Sequence, residues 1–278
     1  MSPGTLYRLS AFTTNPSQGN PAGVWVGGAL PDAATMQRIA ASVGFSETAF
    51  VVPTRGSERS IRYFSPEAEV AFCGHATIAA GVLLGELEGD GAYGLDTREG
   101  RIPVTVGMRD GNREASLTSV EPRFELAGDQ LLNRVLASLG WSRNELDRSI
   151  PPARAYAGVW HLVLAASDAQ RLASLDYDFQ GLRAVMTEDG LTTLQLIWRE
   201  TPHLFHSRNP FPVGGVVEDP ATGAAAAALG GYLRDSGLVK PPIALTILQG
   251  ETMGRASRLN VDVPVAGGIV VSGNAVRF

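Results

Sequence analysis

The stretch AFCGHATIAAGVLLG, residues 71–85, holds the single cysteine of the chain, Cys73, and just beyond it one of the four histidines, His75. Three chemistries are open to such a pair: a nucleophile with its base, half of a metal site, or simply the way into a buried helix. A helix N-terminus favours the thiolate, which would suit a nucleophile. Against that, free cysteine is among the most buried residue types, and no asparagine or aspartate stands where it would orient the histidine. Racemisation by paired thiols needs a second cysteine on the far face of the substrate, and the chain has none. Cys73 therefore reads as structural. His75, at a helix start, stays largely neutral and can donate to a carbonyl, with a satisfied structural histidine as the competing reading. No metal is expected, because His161, His203 and His206 show no carboxylate partner at ligand spacing.

The strongest candidate for proton transfer is Glu47, in GFSETAFVV. It follows a helix stop at Gly44 and opens a strand, where period-two alternation sets it on one face with Ala49 and Val51. A carboxylate on an apolar face is costly to bury unless paired or protonated, and that tension is what general acid/base chemistry near neutrality exploits. The competing reading is a strand-end glutamate reaching into solvent. Glu67 and Glu69, in SPEAEVAF, read as loop charges.

A second stretch, EDPATGAAAAALGGYL from Glu218, has the same character as the first: a strand-like segment, a small turn, then a helix apolar on all sides. Such helices must be buried. Each carries free N–H groups and partial positive charge at its first turn, so the two entrances could receive a carboxylate or a developing oxyanion. Asp219 is an N-cap candidate with Pro220 at the first helical position, and a substrate-contacting role for Asp219 ranks equally. Thr77 and Thr222 could supply hydroxyls, although local capping explains each as well.

The elements around these residues follow from pattern. LYRLSAF, AGVWVGG, ETAFVV and SIRYF read as strands, and PDAATMQRIAASVGF as a helix with Pro31 in its first turn and Gly44 as its stop. RIPVTVGM and REASLTSV flank the turn RDGN as a hairpin. DQLLNRVLASLG is a helix with Leu132, Val135, Leu136 and Leu139 on one face, and WHLVLAA, LTTLQLIW, IALTILQG, RLNVDVPV and GIVVSG read as strands. RYFSP from Arg62 matches RNPFP from Arg208 at an offset of 146 residues, and the Ala76-Thr77 run matches Ala221-Thr222 at 145. Two anchors agreeing this closely point to a duplication, hence two similar domains with a ligand cleft between them. Expected boundaries are 1–120 and 121–278, with a final strand of about 268–278 that could cross back to the first domain.

Composition limits the function. With 278 residues, 44% hydrophobic and 18% charged, the chain reads as a soluble α+β protein of two domains. A net charge of −5 with scattered arginines argues against nucleic acid as a partner. No apolar run suggests a membrane span, and MSPGTLYRLSAF lacks the basic and apolar segments of a signal peptide, so a cytoplasmic protein is expected. No P-loop lysine offers a nucleotide site, and no cofactor is expected.

GNPAGV, SETAFV, RYFSPEAEVAFCGHAT, EDPATGAAAAALGGYL and LQGETMGR, in this order from Asn20 to Arg255, together resemble the phenazine-biosynthesis PhzF-like isomerases. The resemblance implies the diaminopimelate epimerase-like fold: two pseudo-symmetric domains, each a curved, mostly antiparallel sheet around a central helix, with the site between them. It implies a cofactor-free proton shift on a small cyclic or unsaturated acid, such as a dihydro-hydroxyanthranilate, by a homodimer. Glu47 would be the proton carrier, His75 and Asp219 its catalytic companions, and Asn20, Gly74, Ala76, Thr77, Thr222, Gly223 and Ala224 the substrate contacts. Ala224 stands where many relatives carry a serine, and Ala256 replaces a more usual proline. Two rivals remain: a silent binding module for a small acid or protein, and a thiol hydrolase built on Cys73 and His75.

Overall fold

The computed structural model describes residues 4–98 and 100–278. The chain forms two compact units, one running through Thr118 and taking back Ser272–Phe278, the other Ser119–Val271.

In the first unit β1 (Thr5–Ala11) pairs antiparallel with β2 (Asn20–Val26), and α1 (Ala33–Val43) leads to β3 (Glu47–Pro53), parallel to β2. β4 (Glu58–Phe64) returns antiparallel to β3, with the short β5 (Glu69–Val70) folded against its end. α2 (Gly74–Glu88) then leads to β6 (Gly91–Thr97), parallel to β4, and β7 (Gly100–Arg109) and β8 (Asn112–Thr118) complete a meander.

The second unit repeats this order of directions. β9 (Arg123–Leu126) and α3 (Asp129–Leu139) precede β10 (Ala153–Tyr156), which is antiparallel to β11 (Trp160–Ala165). After α4 (Ala169–Ala173) and α5 (Phe179–Glu188) comes β12 (Leu191–Thr201), parallel to β11, then β13 (Leu204–Phe211), antiparallel. β14 (Val216–Asp219) folds against β13 as β5 does against β4. α6 (Gly223–Asp235) leads to β15 (Ile243–Gln249), parallel to β13, and β16 (Ser257–Val263) returns antiparallel. The last strand, β17 (Val270–Arg277), pairs with β1 and β8 and closes the circuit of strands in the first unit. The fold is thus α+β, with mostly antiparallel sheets interrupted by the parallel pairs β2–β3, β4–β6, β11–β12 and β13–β15.

Each unit wraps its sheet around one helix. His75 to Gly85 of α2 are all buried, as are nearly all residues of α6 from Gly223 to Arg234. A helix without a polar face has nowhere else to go. Its close seat on the sheet depends on Gly81, where a Cβ would lie 2.9 Å from the side chains of both Ala115 and Val104. Gly81→Val should therefore destabilise the protein by about 1–3 kcal/mol through overpacking, read as a lower urea midpoint at unchanged slope. The outer faces are covered by amphipathic helices. Met36 and Ala40 of α1 pack on Trp25, Phe50, Val52 and Phe64, and α3 and α5 cover Leu162, Leu164, Leu194 and Leu196.

Pro31 lies before α1, not in its first turn; Asp32 is the N-cap and its carboxylate accepts from Thr35 N–H. β6, β9, β10, β13, α4 and α5 fall on stretches where pattern predicts no element. β6 carries two glycines, and β9 and β10 are only four residues long, too short for periodicity to register. No helix among the described residues is long and apolar enough to cross a membrane.

Candidate active site

Gly44 ends α1 in the left-handed region (φ 72°), so after a two-residue link Glu47 becomes the first residue of β3. Phe50 and Val52 face α1, which leaves Glu47 on the opposite face with Ala49 and Val51. Its side chain is 18% exposed, neither dry nor free in solvent. Across the parallel pair Glu47 sits beside Ala22, and alternation places the buried Asn20 on that same face.

Cys73 is the N-cap of α2 but makes no side-chain capping bond. Its thiol instead donates to Glu47 Oε2 at 3.4 Å and lies 3.3 Å from His75 Nδ1. His75 Nε2 is 3.5 Å from the same Oε2 and 3.3 Å from Ser46 Oγ. The buried thiol and imidazole thus both bear on one carboxylate oxygen, a grouping that relies on β3 meeting the start of α2.

In the second unit the first helical residue is Gly223 and the N-cap is Thr222, not Asp219. Asp219 ends β14, and its Oδ2 accepts from the Thr222 hydroxyl at 2.6 Å. The helix begins late because Gln249, buried at the end of β15, satisfies the turn's backbone. Its Nε2 donates to Asp219 O at 2.7 Å and to Thr222 Oγ1 at 3.0 Å, while its Oε1 accepts from Thr222 N at 3.2 Å. Gly250 follows with φ 76°, and a Cβ there would lie 2.7 Å from Pro220 O, so this close backbone approach requires glycine.

The duplication is real, but the match of Ala76-Thr77 to Ala221-Thr222 is one helical turn out. Arg62 clamps Glu69 with two hydrogen bonds, and Arg208 clamps Glu218 in the same way. Counting from the clamp glutamates, Glu69 and Glu218, Cys73 corresponds to Thr222, Gly74 to Gly223 and His75 to Ala224. The first α-helical bonds agree: Thr77 N–H donates to Cys73 O, and Ala226 N–H to Thr222 O. Runs of small residues slide past one another without penalty in a string comparison, whereas the ion pairs do not.

Of the residues singled out in the sequence, Glu47, His75, Gly74 and Ala76 gather at the α2 entrance, with Asn20 on the Glu47 face. Asp219, Thr222, Gly223 and Ala224 gather at the α6 entrance. Thr77 is fully buried, its hydroxyl bonded to Cys73 O and Tyr63 OH at 2.7 Å each. Cys73, expected to be structural, and Ser46 and Gln249, to which the sequence assigns no role, also join these groups. For Gln249 the one signal was its place in LQGETMGR.

The remaining histidines depart from expectation once. His206 does have carboxylate partners: Nε2 meets Glu200 at 2.6 Å and Nδ1 meets Glu251 at 2.8 Å. Glu200 comes from across the β12–β13 hairpin and Glu251 from beyond β15, distances that spacing along the chain conceals. Burial works against its charge, but the bonds to both glutamates outweigh this and hold the imidazole pKa above its usual value. His161 is fully buried with Nδ1 on Thr193 Oγ1 at 2.8 Å, and burial pushes its pKa down to about 3 from an ordinary 6.5. A depressed folded pKa gives stability that is present above the unfolded value and lost as pH falls from about 6.5 toward 3. In urea titrations at stepped pH, His161→Gln should lose that part of the acid slope.

Two units of the same strand and helix order, each wrapped around a buried helix, define a two-fold-repeated α+β fold. A probable proline racemase from Agrobacterium radiobacter, 14% identical over 99% of this chain and 91% of its own, shares that fold with a TM-score of 0.67. The chain belongs to the phenazine biosynthesis-like protein family, whose pattern it matches over residues 9–278. It is 31% identical to the trans-2,3-dihydro-3-hydroxyanthranilate isomerase of Pseudomonas aeruginosa, over 97% of this chain and 95% of that one. A PhzF-family protein of Bacillus anthracis superposes with a TM-score of 0.87 at 26% identity, covering 100% of this chain and 97% of its own.

Proposed function

We propose that this isomerase shifts one proton on a small cyclic or unsaturated carboxylic acid, with Glu47 as the group that removes and returns it. The observation carrying this reading is the half-buried Glu47 carboxylate with the Cys73 thiol and His75 ring against one of its oxygens. The carboxylate takes a proton from carbon, the electron pair spreads through the conjugated acid, and the carboxylic acid so formed, open enough to exchange with solvent, gives a proton to another carbon. Atoms and charge balance with the protein's own side chains. The first-turn amides of Gly74, His75 and Ala76 suit negative charge developing beside Glu47, and those of Gly223 and Ala224 suit an anion in the second unit. Asn20 contributes an amide on the Glu47 face, and Asp219, held by Thr222, is the second titrating group. Thr77 serves locally.

The Pseudomonas relative's name supports a cyclic unsaturated acid as the substrate class. Ala224 withholds the hydroxyl that a serine would offer there, so the preferred acid differs in the group that contacts this position. A homodimer in the cytoplasm completes the reading.

The test is incubation of the protein in heavy water with a panel of small cyclic and unsaturated acids, followed by NMR. Deuterium entering carbon of at least one acid is expected. Tight binding of an acid with no incorporation would establish the silent binding module instead.

A further inference from the structure

We propose that Glu47, Cys73 and His75 also form a binding site for a thiophilic divalent cation of the zinc class, and that its occupancy blocks proton transfer. The three donor atoms all lie within 4.8 Å of one another. Cys73 Sγ is 3.4 Å from Glu47 Oε2 and 3.8 Å from His75 Nε2, and Nε2 is 3.5 Å from Oε2.

These spacings match what zinc demands. Bonds of about 2.3 Å to sulfur and about 2.0–2.2 Å to nitrogen and oxygen, set at tetrahedral angles, separate the ligands by roughly 3.4–3.6 Å. The Sγ–Nε2–Oε2 triangle has the edge lengths of one face of such a tetrahedron to within a few tenths of an ångström, and because Sγ lies nearer Nδ1 (3.3 Å) than Nε2, the imidazole must turn about its Cβ–Cγ bond to aim a ring nitrogen at the cation. Binding expels the thiol proton to solvent and leaves two anionic ligands and one neutral imidazole around a doubly charged ion, with a fourth position open to water. Thiolate and imidazole select zinc or cobalt over magnesium or calcium. Cys73 is the N-cap of α2, His75 its second residue and Glu47 the first residue of β3, so the ends of secondary-structure elements set the geometry. Partial positive charge at the α2 N-terminus works against a cation, and the two anionic ligands outweigh it.

The inhibitory half of this inference rests on Glu47 being the proton carrier: a cation on Oε2 occupies the lone pair that must accept the proton. The binding half does not, and the experiment separates them. Cobalt(II) is titrated into the full chain without substrate. One equivalent should bind and give a sulfur-to-cobalt charge-transfer band, which zinc then displaces. Because Cys73 is the sole cysteine, the band in the unaltered protein reports that side chain alone. His75→Ala and Glu47→Gln, each checked for native circular dichroism, should weaken cobalt at least about tenfold. Absence of the band at one equivalent, or binding indifferent to both substitutions, overturns the site. If the band forms but saturating zinc leaves deuterium exchange intact, the inhibitory role is overturned while the site stands. If no acid ever exchanges, the isomerase reading fails and the band still decides the site.

Discussion

Glu47→Gln should lower deuterium exchange into a responsive acid by about 10²–10⁴-fold, the usual contribution of a positioned general base. The substitution keeps the shape of the side chain and leaves an amide oxygen where Oε2 accepts from the Cys73 thiol, so packing at the α2 entrance survives. What disappears is the group able to take a proton from carbon and give it back. The loss should therefore fall on kcat, with KM for the acid changed by no more than about threefold, because binding common to ground and transition states is untouched. Thermal stability should stay close to that of the unaltered protein. Exchange that persists at near-native rate in this variant would remove Glu47 from the proposal and point to another base.

The second large effect is expected far from Glu47 in sequence. Gln249→Leu removes a buried amide that satisfies Asp219 O, Thr222 Oγ1 and Thr222 N at once. Leucine fits the volume but offers neither donor nor acceptor. Each buried polar group left unmade costs about 1–3 kcal/mol, so the urea midpoint should drop well beyond the effect of an ordinary surface change. The turn from Asp219 to Gly223 should loosen with it, raising KM more than it lowers kcat if this turn binds the substrate carboxylate. An unchanged urea midpoint would show that the turn is fixed by other contacts.

Much of the architecture is legible in the amino-acid string, since it is written in short-range physics. The all-apolar runs after Cys73 and Thr222 must be buried, the helix at residues 33–43 must present Met36 and Ala40 to a sheet, and Glu47 must open a strand on the face of Ala49 and Val51. The repeated Arg…Pro anchors reveal the duplication itself. The exact register of the second copy is not legible, because alanine runs look alike after a shift of one turn. The clamp glutamates, Glu69 and Glu218, together with the first hydrogen bond of each helix show which residues correspond.

The site is divided along the same line. Residue type and position in a strand marked Glu47 and His75, but spacing along the chain could not say that Cys73, twenty-six residues on, places its thiol against the Glu47 carboxylate. Nor could it move the α6 N-cap from Asp219 to Thr222, a choice made by Gln249 from a neighbouring strand. Local pattern fixes which face a side chain takes, because backbone periodicity is a property of consecutive residues. Which side chains then share that face depends on strand pairing and on where each helix is allowed to begin, and tertiary contacts decide both.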